Sequence, residues 1–247
     1  MPPQYAMDPR DRLILALDVK SLDAAMRLVE ATSAYVGAFK VGIELVNVEG
    51  PRVFSALRDC GAQRIFYDAK FHDIPNTVFR AVEAALRHHL WMLNVHASGG
   101  SRMVAAAAEA IRGHVRDALT DARPILLGVT LLTSLDDAEL HDELMVRLDR
   151  LNYVRHLAQM VQRSGGQGVV ASAWEIEAVR DACGEDFVIV TPGVRPEGFD
   201  AADQRRTATP AEALKRGADY LVVGRPITAA KNPTEAARRL IAQIPAE

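Results

Sequence analysis

Residues 64–77 read RIFYDAKFHDIPNT. Ile65, Phe66 and Tyr67 have the β-branched and aromatic character of a buried strand, and alternation along it sends Asp68 and Lys70 to one face. Asp73 follows three residues later, ahead of Ile74 and Pro75; the proline suits the first turn of a helix, and Asn76 and Thr77 can help fix its start. The stretch is a strand-to-helix junction carrying Asp-x-Lys-x-x-Asp where an apolar strand ends. Such a triplet suits a structural ion pair as well as acid–base chemistry. A catalytic reading needs three more things: a second cation, a phosphate site, and a scaffold that gathers strand ends.

The rest of the chain supplies the scaffold. From Leu13 onward, short apolar runs alternate with longer amphipathic stretches, the signal of repeated βα units and a parallel sheet. Strands are predicted over 13–18, 35–41, 64–69, 91–96, 124–129, 168–172, 187–191 and 219–223. Helices are expected between them, for example over 22–34 and over the Ala-rich 100–112, one after each strand. Eight such pairs, with no GxGxxG after the first strand, favour a closed barrel over an open doubly wound sheet. The expectation is an α/β fold, a single-domain (β/α)8 TIM barrel over 11–247, preceded by a flexible arm over 1–10.

Composition narrows the function. A chain of 247 residues that is 49% hydrophobic can bury a large core, and a formal net charge of −3 argues against a general nucleic-acid surface. Cys60 and Cys183 stand far apart and outside any CxxC pattern, which fits free thiols in the reducing cytoplasm. The first residues contain no apolar segment of the signal-peptide kind. The longest apolar run, Ile125–Leu132, is interrupted by Gly128 and Thr130 and is too short to span a bilayer, so no membrane association is expected.

A barrel places functional side chains at the C-terminal ends of its strands. Polar residues occur there: Asp18, Lys40, Asp68 and Lys70, Asn94 and His96, Thr130 and Thr133, Thr191, and Gly224 with Arg225. Charged groups at the ends of apolar strands are costly unless paired, so their convergence points to a site. After strand 8, Gly224 lets a ligand approach the backbone and Arg225 offers a fork-shaped cation, where barrels commonly bind phosphate. The excursion after strand 7 is long, aperiodic and rich in Gly, Pro and charge, as lids are. From it Arg195, Gln204, Arg205 and Arg206 could reach a phosphate. A second excursion, 133–148, is read as partly helical and as covering the mouth or an interface. The histidines show no spacing with carboxylates that suggests a metal site.

The motifs LALD (15–18), FKVGIEL (39–45), FYDAKFHDIPNT (66–77), NVHASGG (94–100), TPGVRP (191–196) and VVGRPI (222–227) together resemble orotidine 5'-phosphate decarboxylases. The resemblance implies that Asp18 and Lys40 hold ribose hydroxyls and that Lys70 donates a proton to C6 as CO2 leaves. It implies further that Asp68 faces the substrate carboxylate and that Asp73 enters a partner's site across a homodimer, with Ile74 and Thr77 beside it. Thr133 would contact the pyrimidine, and Arg195, Gln204, Gly224 and Arg225 the phosphate. Neither metal nor organic cofactor is implied, and the small-molecule substrate would be orotidine 5'-phosphate, converted to UMP.

Residue chemistry is compatible with that reading. Loss of CO2 leaves negative charge on carbon, which Lys70 can stabilise and then protonate. A substrate carboxylate near Asp68 would cost about 4 kcal/mol at about 4 Å and an effective dielectric of about 20. Repulsion alone falls short of the roughly 20 kcal/mol that a very slow reaction demands, so binding energy from the phosphate must contribute. Two rivals remain: a metal-using sugar-phosphate decarboxylase or aldolase on the same barrel, which would carry Glu where this chain has Lys40, and a nucleotide-binding barrel without turnover.

Overall fold

The computed structural model describes residues 7–118, 123–196 and 208–245. Eight strands form one closed parallel barrel in chain order: β1 (Leu13–Ala16), β2 (Ala38–Gly42), β3 (Ile65–Phe71), β4 (Met92–His96), β5 (Ile125–Val129), β6 (Gly168–Val170), β7 (Val188–Thr191) and β8 (Tyr220–Val223). Pairing of Leu13 with Leu221 and Leu15 with Val223 closes the circle. The fold is the expected single-domain (β/α)8 barrel.

The helices are α1 (Leu22–Thr32), α2 (Ile43–Glu49), α3 (Arg52–Asp59), α4 (Pro75–Leu86), α5 (Ser101–Ala118), α6 (Arg150–Arg163), α7 (Ile176–Cys183), α8 (Pro210–Lys215), α9 (Arg225–Thr228) and α10 (Pro233–Ile241). Several begin where a side chain satisfies an orphan backbone donor: Ser21 accepts from Ala24, Asp149 from Asn152, and Thr209 forms a reciprocal box with Glu212. One helix per strand does not hold throughout. Two helices follow β2, separated at Gly50, whose φ of 70° and following Pro51 end the first. Two also follow β8, and the segment after β5 makes a π-helical turn at Glu139–Glu143 before α6. Of the arm expected over 1–10, residues 1–6 lie outside the described residues; its last two, Pro9 and Arg10, belong to a 3-10 turn capped by Asp8.

Alternation along the strands separates two layers of core. Leu13, Leu15, Phe39, Ile65 and Leu93 face outward into the shell shared with the helices. Ile14, Ala16, Ala38, Phe66, Met92, Leu127, Val190 and Val222 fill the barrel itself. Burying an aromatic such as Phe66 contributes about 3 kcal/mol, and the plug forms the floor beneath the mouth. Two residues beyond the plug, the same face of each strand emerges at the C-terminal end. Ala16 is thus followed by Asp18, Ala38 by Lys40, Phe66 by Asp68, Met92 by Asn94 and Val222 by Gly224. The opposite face of the barrel is tied by Arg180, whose guanidinium donates to Asp219 and to the carbonyls of Gly217 and Phe187.

Candidate active site

Of the residues that emerge from the plug, Asp18, Lys40, Asp68 and Gly224 line a cavity of about 610 Å³ at the C-terminal mouth, while Asn94 stays buried behind its wall. Its wall includes Asp18, Lys40, Asp68, Lys70, Thr133, Arg195, Gly224 and Arg225, contributed by strands from both halves of the barrel. Lys40 Nζ lies 3.1 Å from Asp18 Oδ1 and 3.0 Å from Asp68 Oδ2. Lys70 Nζ approaches the other Asp68 oxygen at 2.7 Å. Asp68 is therefore held between two ammonium groups, with Lys40 shared between it and Asp18.

Asp68 and Lys70 meet, but not by simple strand alternation. Tyr67 pairs with Leu93 and Phe71 with Val95, so four residues of β3 advance against two of β4. Within this bulge Lys70 has φ 49°, the left-handed region that side chains usually avoid. The bulge re-aims Lys70 at the carboxylate two residues before it. Asn94 braces the arrangement: its Nδ2 donates to Asp68 Oδ1 at 2.7 Å, and its Oδ1 accepts from the Lys70 N–H at 2.7 Å.

The charges perturb one another in opposite senses. Burial pushes the Asp68 carboxyl up, but Lys40 and Lys70 outweigh it and bring its pKa down to about 2. Burial pulls the Lys40 ammonium down, yet the attraction of Asp68 and Asp18 leaves it above its ordinary value. Both groups are held ionised across the neutral range. His96, at the end of β4, is shifted downward by burial, by His72 and by Lys70, and its ring lies 5.3 Å from that of His72.

The residues expected to meet a phosphate stand across the mouth. Arg195 is buried, and its backbone N–H donates to the Ala208 carbonyl at 3.0 Å, while Val194 and Ala208 form an isolated bridge. Arg225 opens α9 at the rim beside Gly224. A side chain at Gly224 would make only ordinary contacts, 3.6 Å from Ala16 Cβ and 4.0 Å from Asp18 Oδ2, but it would occupy the cavity. Among the described residues, no group of three or more His, Cys, Asp or Glu is placed to hold a metal ion.

The family model for the orotidine 5'-phosphate decarboxylase / HUMPS family matches residues 11–240. The chain belongs to this family. Orotidine 5'-phosphate decarboxylase of Moorella thermoacetica is 50% identical over 238 residues, 96% of this chain and 94% of the relative. That of Syntrophomonas wolfei is 45% identical over 239 residues, 96% of this chain and 99% of the relative. The crystal structure of the orotidine 5'-phosphate decarboxylase from Lactobacillus acidophilus shares 34% identity and a TM-score of 0.82, covering 95% of this chain and 99% of its own.

Not every residue expected from the decarboxylase resemblance reaches this cavity. Asp73, Ile74 and Thr77 are exposed and absent from its wall; Ile74 is 67% exposed, and Asp73 uses a carboxylate oxygen to accept from the Ile74 N–H at 2.6 Å. Gln204, Arg205 and Arg206 lie outside the described residues. Conversely, Ile43, Glu44, Leu131 and Thr228 line the cavity without having been singled out. Asn94 stands in the sequence as a polar strand end with no expected role. The signal for it was available: an amide two residues beyond plug residue Met92 must face the same axis as Asp68.

Proposed function

We propose that this chain, a carboxy-lyase by family, converts orotidine 5'-phosphate to UMP and CO2 in pyrimidine synthesis without metal or organic cofactor. The observation that carries the reading is Asp68 clasped by Lys40 and Lys70 at the mouth of the barrel. The bond between C6 and the substrate carboxylate breaks, CO2 departs, and the electron pair remains on C6. The Lys70 ammonium stabilises that pair and then gives it a proton; the resulting amine is reprotonated from solvent. Asp68, ionised because two cations hold its pKa low, faces the substrate carboxylate and repels it until CO2 leaves. Asp18 and Lys40 bind the ribose hydroxyls and Thr133 contacts the pyrimidine. Arg195, Gln204, Gly224 and Arg225 hold the phosphate, whose binding energy is used at the transition state.

The working unit in this reading is a cytoplasmic homodimer. Asp73, with Ile74 and Thr77 beside it, completes the partner's site; their exposure outside the cavity of their own chain supports this. The test is the ultraviolet absorbance change of orotidine 5'-phosphate with purified protein after exhaustive chelation. Conversion to UMP at an undiminished rate is expected. Absence of conversion, with activity on a sugar phosphate once Mg2+ is restored, would overturn the proposal.

A further inference from the structure

Asn94 is fully buried, and both ends of its carboxamide are used within the charged cluster. One end donates to Asp68 and the other accepts from the Lys70 backbone, so the amide spans the two groups whose separation matters. The Lys70 N–H is removed from the β3–β4 ladder by the bulge, and the side-chain oxygen of Asn94 takes the place of the missing backbone acceptor. A left-handed φ at a non-glycine residue is disfavoured and persists only when its surroundings hold it. Asn94 is positioned to do so.

We propose that Asn94 is the positioning residue of this site, fixing Lys70 and Asp68 relative to each other by gripping the backbone of one and the carboxylate of the other. The inference rests on the reading of Lys70 as proton donor. Only a group that donates and accepts at once can fill the place: an ionised carboxylate lacks the donor, and an aliphatic side chain lacks both. The ionisable groups around it are Asp68 and Lys70 on β3, Lys40 on β2 with Asp18 behind it, and His96 on its own strand. On the other side Asn94 pairs with Leu127 of β5, a strand with no ionisable side chain.

The test compares Asn94→Ala and Asn94→Asp with the parent enzyme between pH 5 and pH 8, measuring kcat and KM for orotidine 5'-phosphate and UMP binding by calorimetry. Displacing a catalytic group by about 1 Å can cost about 100-fold, so Asn94→Ala should lose kcat on that order at every pH while binding UMP nearly as the parent does. Asn94→Asp should lose as much at pH 8, where it faces Asp68 as a second carboxylate. It should recover relative to the parent as the pH falls, because the protonated acid can donate to Asp68 while its other oxygen accepts from Lys70. Near-parental kcat in Asn94→Ala, or a parental pH profile in Asn94→Asp, overturns the role. If Asn94→Ala does not fold, the near-isosteric Asn94→Asp profile decides alone. A parent enzyme that fails to convert the substrate defeats the decarboxylase reading and this proposal with it; an active parent with indifferent variants defeats this proposal only.

Discussion

Replacing Lys40 by Met keeps most of the side-chain volume and removes the cation shared by Asp18 and Asp68. At 3.0 Å and an effective dielectric of about 20, the attraction between Lys40 and Asp68 is about 5 kcal/mol before the cost of desolvating the two charges. Removing one partner of a buried pair leaves the other charge inside with its desolvation uncompensated, so a net loss of about 3–5 kcal/mol of stability at pH 7 is expected. The pH dependence separates this cause from simple loss of packing. With a folded pKa near 2, below the ordinary 3.8, Asp68 stabilises the parent above pH 3.8, by about 2 kcal/mol, and loses that contribution as the pH falls toward 2. In Lys40→Met burial persists and the larger opposing attraction is gone, so the folded pKa rises and the stabilisation at neutral pH disappears. Urea unfolding from pH 7 to pH 4 should show a gap between parent and variant that is widest at pH 7 and narrows on acidification, as the variant's Asp68 takes up its proton. A variant as stable as the parent at pH 7, or a gap unchanged across this range, would refute the reasoning.

Three further outcomes are expected. Lys70→Ala should lower kcat by about 10^4-fold or more, because proton delivery and charge stabilisation vanish together, while UMP binding measured by calorimetry stays largely intact; normal turnover would sink the assigned role. Arg225→Ala should lower kcat/KM for orotidine 5'-phosphate by about 10- to 100-fold, the worth of a hydrogen bond to a charged group, and leave the phosphate-free nucleoside unaffected; equal losses would contradict the phosphate assignment. Mixing Lys70→Ala with Asp73→Asn under conditions of proven subunit exchange should restore about a quarter of parental activity, one intact site in each hybrid dimer. Without recovery, Asp73 does not act across an interface.

The barrel was legible because each strand is an apolar run interrupted at turn residues, and every strand except β2 falls within two residues of the predicted bounds. The pair α2 and α3 was missed as two helices, although Gly50-Pro51 marks the break, because Ile43 and Val48 are exposed and blur the apolar period. The plug-to-mouth step of two residues explains why Asp18, Lys40, Asp68 and Gly224 could be read as one site. Lys70 illustrates where such reading stops. Its meeting with Asp68 was anticipated from alternation, but the geometry depends on a bulge and a left-handed backbone that only pairing with β4 reveals. For Asn94 the step of two residues from Met92 gives the direction it faces, but its contact with the Lys70 N–H exists only because of the bulge on the neighbouring strand.

The order of the strands also has a bearing on how activity arises during synthesis. Sheet order follows chain order, so each strand from β1 to β4 finds its neighbour as soon as the next unit emerges, and N-terminal units fold first on the ribosome. Asp18, Lys40, Asp68, Lys70 and Asn94 are all in place by the end of β4. The seam between β1 and β8 joins the two ends of the sequence and must form last. Until then the plug is incomplete and the cluster lies beside an open, hydrated edge, where its charges are screened rather than confined. The cavity wall also draws on Pro192, Arg195, Val222, Gly224 and Arg225 at and beyond the ends of β7 and β8, so a nascent chain would acquire turnover in a single late step, when the last strand joins the first.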